Sequence, residues 1–333
     1  MGALGFDVKN EQVLSSVSDE IIKSSEIEGA MLNLEQVCSS VARRLNIDYK
    51  SFAKPSRYID GAVCMMMDAI GGYNRPLTQE RLFAWHAELF PTGWSGMSEI
   101  DVGKFHSDKF GRMQVVSERG NRKTIYYEAP KADVIPAEIS KFLSWINSVK
   151  ADFTTAAIAH LWFVTLHPFD DGNGRISRAI TEYMLAKSEN SQFRFYSMSK
   201  RIEQNRKNYC DVIERTQKGS LDITGWLIWF LDTLFDAISD ADNARERLVF
   251  KARFWQNIIS IDISAGQRKL INKLLDAFEG KMTSSRWANI RGCSQDTVSR
   301  EINNLIAKGI LIKEGVGRST HYSINRERDL AAI

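Results

Sequence analysis

The stretch His167-Pro168-Phe169-Asp170-Asp171-Gly172-Asn173-Gly174-Arg175-Ile176-Ser177-Arg178 decides the reading of this chain. It opens with His167, a side chain that takes a proton near neutral pH. Asp171 follows, a carboxylate able to hold a hard cation. The turn Gly172-Asn173-Gly174 is built from small residues that let backbone N–H groups converge on an anion. Arg175 and Arg178 close the run and, three apart, share one face of a helix. Base, metal ligand, anion nest and paired cations in twelve consecutive residues describe a site for a polyphosphate. A polar loop before a surface helix is the plainer alternative, and it does not account for the order of these groups.

The flanks support that site. Thr154 to Leu166 is apolar nearly all round, which predicts a central helix delivering His167 at its C-terminal end. Within it His160 reads as a satisfied core histidine. After Arg175, the pattern Ile176, Ile180, Met184 predicts a second core helix, whose unpaired N-terminal N–H groups face the glycine turn. Before both, Pro136 starts a helix with Ile139, Phe142, Leu143 and Ile146 as its buried stripe.

The chain has 333 residues, enough for two or three domains, and 44% apolar with 26% charged residues is the composition of a soluble globular protein. A net charge of +3 is too small to argue for a nucleic-acid partner. No basic segment with a following apolar run opens the chain, and the run Ala156–Leu166 is too short for a bilayer. The four cysteines lie far apart without a C-x-x-C pair, so they read as reduced thiols. A cytoplasmic compartment is expected, and no membrane contact.

Around the core, Val13, Val17, Ile21 and Ile22 predict an N-terminal helix running into Ser24-Ser25-Glu26-Ile27-Glu28-Gly29, with Gly29 as its stop. Helical patterns continue at Leu34, Val37, Val41, Leu45 and over Ala62–Ile70. Met113–Ser117 and Thr124–Tyr127 predict a hairpin across the turn Glu118–Lys123, which contains Gly120-Asn121. Ser199–Thr216 has helical spacing at Ile202, Tyr209 and Ile213, followed by an apolar helix over Trp226–Ile238 and a charged helical connector. Further on come three helices, the second capped by Thr283 or Ser284 and the third by Ser294, and then two short strands. Domains are expected at 1–95, 96–240, 241–264 (the connector) and 265–326.

The opening stretch also resembles the signature of the Fic family, His-Pro-Phe-x-(Asp/Glu)-Gly-Asn-Gly-Arg-x-x-Arg, with every specified position filled. The resemblance implies a mainly α fold: a helical catalytic core with a small β-hairpin flap. It implies AMP transfer from ATP to a Ser, Thr or Tyr hydroxyl of a target protein, with His167 as base. Gly172, Asn173, Gly174, Arg175 and Arg178 would bind the nucleotide, and Asp171 would bind Mg²⁺. Tyr209 matches one member of an aromatic pair that lies against the adenine in relatives, but Cys210 stands at the other position. His106 stands where many relatives have Arg, so no role carries over to it.

Ser24, Glu28 and Gly29 match the family's inhibitory motif, (Ser/Thr)-x-x-x-Glu-(Gly/Asn). A carboxylate docked on Arg178 would take the cation that the ATP γ-phosphate needs. The flap, with Val115, Val116, Thr124, Ile125 and Tyr126, resembles a platform for strand addition by a target. Gly174 argues against the phosphorylating Doc type, which has Lys there. Removal of AMP stays open as an alternative, because a docked Glu28 could position a water.

The three helices and hairpin look like a winged-helix domain. Gln295, Thr297, Ser299 and Arg300 on its third helix, with Arg318 in the wing, could meet DNA. Asp296, Glu301 and Glu314 intervene, so a protein contact remains equally open. A DNA-binding regulator that only senses a nucleotide is the rival functional class. Expected partners are a target protein, the chain itself through self-modification, a second copy in a homodimer, and DNA.

Overall fold

The computed structural model describes residues 2–51, 53–109, 111–119, 122–276 and 280–326, without the side chains of residues 2–8, 117–119, 122–124 and 318. The expected turn residues Gly120 and Asn121, and the side chains of Thr124 and Arg318, therefore lie outside the described residues. The fold is mainly helical and divides into two compact units, one over Lys9–Ala241 and one that comprises residues 1–8 and 242–333.

The chain opens with α1 (Gly2–Ile27), α2 (Leu34–Leu45), α3 (Arg57–Gly71) and α4 (Gln79–Leu89). Asn33, Ser56 and Thr78 start the last three, each accepting from a backbone N–H three residues on. On α1 the expected stripe of Val13, Val17, Ile21 and Ile22 is buried. Leu14, Glu20, Ser24 and Ser25 are buried as well. The Glu20 carboxylate accepts from Ser197 Oγ and Ser199 N, each at 2.8 Å. This helix is part of the core, not an arm laid on it.

Two short hairpins follow, β1 (Trp94–Ser95) with β2 (Ser98–Glu99), and β3 (Gln114–Arg119) with β4 (Arg122–Glu128). The β3–β4 strands run further than expected, because the charged residues Glu118, Arg119, Arg122 and Lys123 continue the pairing. Val115 pairs with Tyr127 and Val116 with Ile125, so Tyr126 is the extra residue of a bulge.

Next come α5 (Ile135–Ser148), α6 (Phe153–Leu166) and α7 (Asn173–Glu189). A capping box fixes the start of α6: Thr155 N donates to Asp152 Oδ1 at 2.7 Å and Asp152 N to Thr155 Oγ1 at 2.8 Å. Both α6 and α7 are buried on most sides and form the centre of the unit.

The helix expected over 199–216 is two, α8 (Met198–Gln204) and α9 (Arg206–Lys218), broken at Asn205. Asn205 leaves helical geometry (φ −117°, ψ 28°) while Tyr209 N still bonds to its carbonyl. The apolar spacing therefore continues across the break, which is why periodicity does not reveal it. The apolar helix and the charged connector are in turn one helix, α10 (Thr224–Asn257).

The second unit carries α11 (Ala265–Leu275), α12 (Ser284–Arg291) and α13 (Gln295–Ala307), capped by Ser264, Thr283 and Ser294. An antiparallel pair, β5 (Leu311–Glu314) and β6 (His321–Ile324), completes it. Leu270, Trp287, Val298, Ile302 and Leu305 form its core. The order is the one read from the sequence, three helices and then a hairpin.

Candidate active site

His167 is the C-cap of α6 and sits in the left-handed region (φ 48°, ψ 53°), uncommon for a residue with a side chain. That turn lifts the half-buried ring out of the helix. Its Nδ1 lies 3.3 Å from the Val164 carbonyl, so Nδ1 carries the proton as donor and Nε2 keeps a free lone pair. Burial pushes its pKa below the usual histidine value, and the charges of Glu28 and Asp171 pull partly back. A neutral ring with a free Nε2 can accept a proton.

The loop after it is pinned from within. Phe169 is fully buried and anchors the loop in the core, as its position in the sequence suggests. Asn173 holds both polar atoms of that residue: Phe169 N donates to Asn173 Oδ1 at 3.0 Å, and Asn173 Nδ2 donates to Phe169 O at 2.7 Å. The Asn173 side chain thus shapes the loop, and only its backbone faces the nest. Gly172 has φ 83°, and a Cβ there would fall 2.9 Å from the Phe90 ring, so glycine is required twice over. Gly172 N donates to Asp171 Oδ1 at 2.5 Å.

The two arginines differ in their surroundings. Arg175 donates to the Tyr58 hydroxyl at 2.8 Å, lies 3.5 Å from Asp171 Oδ2 and stacks its guanidinium 4.9 Å from the Phe90 ring centre. Arg178 is buried and fully engaged on one side. Its Nε donates to Ser24 Oγ, and its Nη2 to Ser24 O and to Glu28 Oε1, all at 2.8 Å. Nη1 carries no hydrogen bond among the described residues. Glu28 stands just past the end of α1, ahead of Gly29 at φ 84°. Of the expected trio, Ser24 and Glu28 therefore meet Arg178, Glu28 across 150 residues of sequence, and Gly29 follows Glu28 in the chain.

Tyr209, expected beside the adenine, turns its hydroxyl to His160. It is buried at 5% exposure, and its hydroxyl is 2.9 Å from His160 Nε2. Thr181 Oγ1 donates to Ser177 O at 3.0 Å, so it accepts from His160 Nδ1 at 2.8 Å, and Tyr209 must donate to Nε2. His160 is thus a core histidine satisfied at both nitrogens, and burial lowers its pKa to about 3. The tyrosine lies behind Arg178, while its neighbour Cys210 is the exposed residue. His106 is also buried, and its backbone N–H donates to Pro168 O at 2.9 Å.

Three residues that the sequence does not single out touch the site: Tyr58 on Arg175, and Ser95 and His86 on Asp171. Each stands alone in an ordinary helix or loop, far from the signature, so no local pattern marks it.

Val115, Val116, Ile125 and Tyr126 are partly exposed on β3–β4, apolar and unpaired toward solvent. The Tyr127 hydroxyl donates to Thr165 O at 2.7 Å, which ties the hairpin to the end of α6, two residues before His167. In the second unit Gln295, Thr297 and Arg300 are exposed on α13, and Ser299 is half-buried. Gln295 donates to Ser284 Oγ at 3.2 Å.

Among the described residues no three His, Cys, Asp or Glu side chains cluster as a metal cage. The donor set at Asp171, one partly exposed carboxylate beside a phosphate nest, is what Mg²⁺ uses when waters and substrate phosphates complete its shell. The residues fit that ion. Among the described residues no helix is long and apolar enough to cross a membrane.

Residues 76–185, which hold the loop His167–Arg178, match the Fic/DOC family model. Residues 1–47, which include α1 and Glu28, match a domain family of unknown function, DUF4172. Among curated proteins the chain is similar to the protein adenylyltransferase Fic of Aedes aegypti, 25% identical over 237 residues, covering 64% of this chain and 42% of that protein. The like-named protein of Culex quinquefasciatus is 24% identical over 210 residues, covering 60% of this chain and 37% of that one. The chain thus spans about two fifths of the length of these relatives.

Its fold is similar to the crystal structure of a Fic family protein from Desulfovibrio desulfuricans. That match has a TM-score of 0.52 and 20% identity, over 95% of this chain and 87% of that one. A Fic domain containing signaling protein from Bacteroides thetaiotaomicron matches with a TM-score of 0.51 and 17% identity, over 69% of this chain and 87% of that one.

Proposed function

We propose that this chain is a protein adenylyltransferase, transferring AMP from ATP to a hydroxyl of a target protein and of itself, and held inactive by Glu28 on Arg178. The observation that carries this reading is the assembly of a neutral His167, the Gly172–Gly174 nest and two arginines around one loop, with a carboxylate already placed on the second arginine.

His167 Nε2 takes the proton of the attacking hydroxyl as that oxygen bonds to the α-phosphorus. The bond from the α-phosphorus to the bridging oxygen of the β-phosphate breaks, and pyrophosphate leaves with the electron pair. The N–H groups of the nest and the guanidinium of Arg175 stabilise that growing charge. Asp171 would hold Mg²⁺, which when bound neutralises phosphate charge. Arg178 is the cation for the γ-phosphate. In the resting state three of its donor contacts are spent on Ser24 and Glu28. The β3–β4 edge presents a target segment to His167 by strand addition.

The test is transfer of label from α-phosphate-labelled ATP. The Glu28→Gly variant is expected to label itself more strongly than the parent, and His167→Ala not at all. Equal labelling of all three proteins would refute the reading.

A further inference from the structure

Two residues outside the signature hold Asp171 from opposite ends. Ser95, on the β1–β2 hairpin, donates its hydroxyl to Asp171 Oδ2. The other carboxylate oxygen, Oδ1, accepts from Gly172 N at 2.5 Å, and Arg175 lies 3.5 Å from Oδ2. An aspartate side chain that is 41% exposed is thus held in one rotamer by donors on three sides.

His86, on α4, acts on the backbone of the same residue. Its ring is fully buried and stacked on Phe169, with centroids 4.3 Å apart and planes at 9°. Gly103 N donates to His86 Nδ1 at 3.1 Å, so the ring proton must be on Nε2, which donates to Asp171 O at 3.1 Å. The peptide that carries this carbonyl also carries the Gly172 N–H, and the two are rigidly opposed. Fixing the carbonyl therefore also fixes the Gly172 N–H, the donor to Asp171 Oδ1.

The segment that supplies Ser95 and Gly103 is laced to the loop elsewhere too. Asp101 N donates to Asp170 Oδ2 at 2.8 Å and His106 N to Pro168 O at 2.9 Å. Residues 95–106 therefore form a belt along the loop, with bonds at Pro168, Asp170 and Asp171.

We propose that Ser95 and His86 are positioning residues for the metal–nucleotide site, Ser95 setting the Asp171 carboxylate and His86 setting the peptide between Asp171 and Gly172. This rests on the reading of Asp171 as the metal ligand. Partners in the shell around a ligand commonly change metal affinity by about 10–100-fold when removed.

The experiment is calorimetric binding of α,β-methylene-ATP, with Mg²⁺ and with EDTA, in the Glu28→Gly background. The ratio of the two dissociation constants is the gain due to metal. Ser95→Ala is expected to shrink that gain about tenfold, with metal-free affinity and melting temperature unchanged, and Ser95→Thr to restore it. His86→Phe keeps the stack and loses both hydrogen bonds, and should shrink the gain likewise. If it does not fold, ring-nitrogen NMR of the intact Glu28→Gly protein tests His86 directly, with Nε2 expected to carry the proton. A gain unchanged in Ser95→Ala, or a proton found on Nδ1, overturns the inference while leaving adenylyl transfer standing. No metal gain in Glu28→Gly itself would instead remove Asp171 as ligand, and this inference with it.

Discussion

The Glu28 carboxylate lies where any side chain at position 174 would have to go: a Cβ built on Gly174 falls 2.0 Å from Glu28 Oε1. Arg178 Nη1 is 3.2 Å from the same point. The second glycine of the turn thus makes room for the Glu28 carboxylate. On the proposed reading, Glu28 and a nucleotide would compete for one small volume and one guanidinium.

That overlap predicts strong coupling between the two positions. Gly174→Ala should push the carboxylate off Arg178, since the far end of a glutamate moves more cheaply than a helix backbone. Glu28→Gly alone is expected to cost about 1–2 kcal/mol, because it leaves a buried guanidinium with fewer partners. In the Gly174→Ala background the same change should cost close to nothing. A double-mutant cycle by urea denaturation measures this, and additive costs would contradict it.

Glu28 also bears on the base. Its negative charge raises the His167 pKa, against the lowering by burial. Removing it should lower the pKa further, so that His167 stays neutral to a more acid pH. The acid limb of the rate profile for Glu28→Gly should therefore lie below the usual histidine value of 6.5. A limb centred above 6.5 would argue against His167 as the titrating base.

Two histidines make the fold sensitive to acid. In the unfolded chain His86 and His160 protonate near 6.5, whereas in the fold they stay neutral down to about 4 and about 3. Between those values the unfolded state binds more protons, so stability falls as pH drops below about 6.5. Each unit of difference is worth about 1.4 kcal/mol per group. Urea midpoints at pH 7.5 and pH 5 should differ clearly, and equal midpoints would count against the buried neutral rings.

Tyr209→Phe tests where that tyrosine acts. It keeps the ring and leaves His160 Nε2 without its donor, a cost of about 1–3 kcal/mol. The dissociation constant for ATP in the Glu28→Gly background should stay the same, because the hydroxyl faces His160 and not the ligand. Weaker ATP binding with unchanged stability would restore Tyr209 to the nucleotide pocket.

Much of this architecture is legible in the chain because it is local. The α6 helix announces itself by apolar residues nearly all round and α7 by the spacing of Ile176, Ile180 and Met184, and the signature between them is a contiguous loop. The caps at Thr283 and Ser294 are equally local. Glu28 is a different case: an exposed glutamate after a helix gains meaning only from a motif, and its partner is 150 residues away. Ser95, His86 and Tyr58 carry no motif at all, because their roles come from tertiary packing against the loop. Asn205 hides for the opposite reason, since the apolar period continues through the break it makes. For Tyr209, spacing places it beside the site but cannot say that its hydroxyl turns to His160.

The central claim is that Glu28 withholds Arg178 from the nucleotide in an otherwise complete adenylyltransferase. Intact mass spectrometry after incubation with ATP and Mg²⁺ tests it most directly, on the parent, Glu28→Gly, Glu28→Gly/Arg178→Ala and Glu28→Gly/His167→Ala. The account predicts added AMP on Glu28→Gly, little on the parent and none on either double variant. Equal modification of parent and Glu28→Gly, or AMP on the His167→Ala double variant, would contradict it.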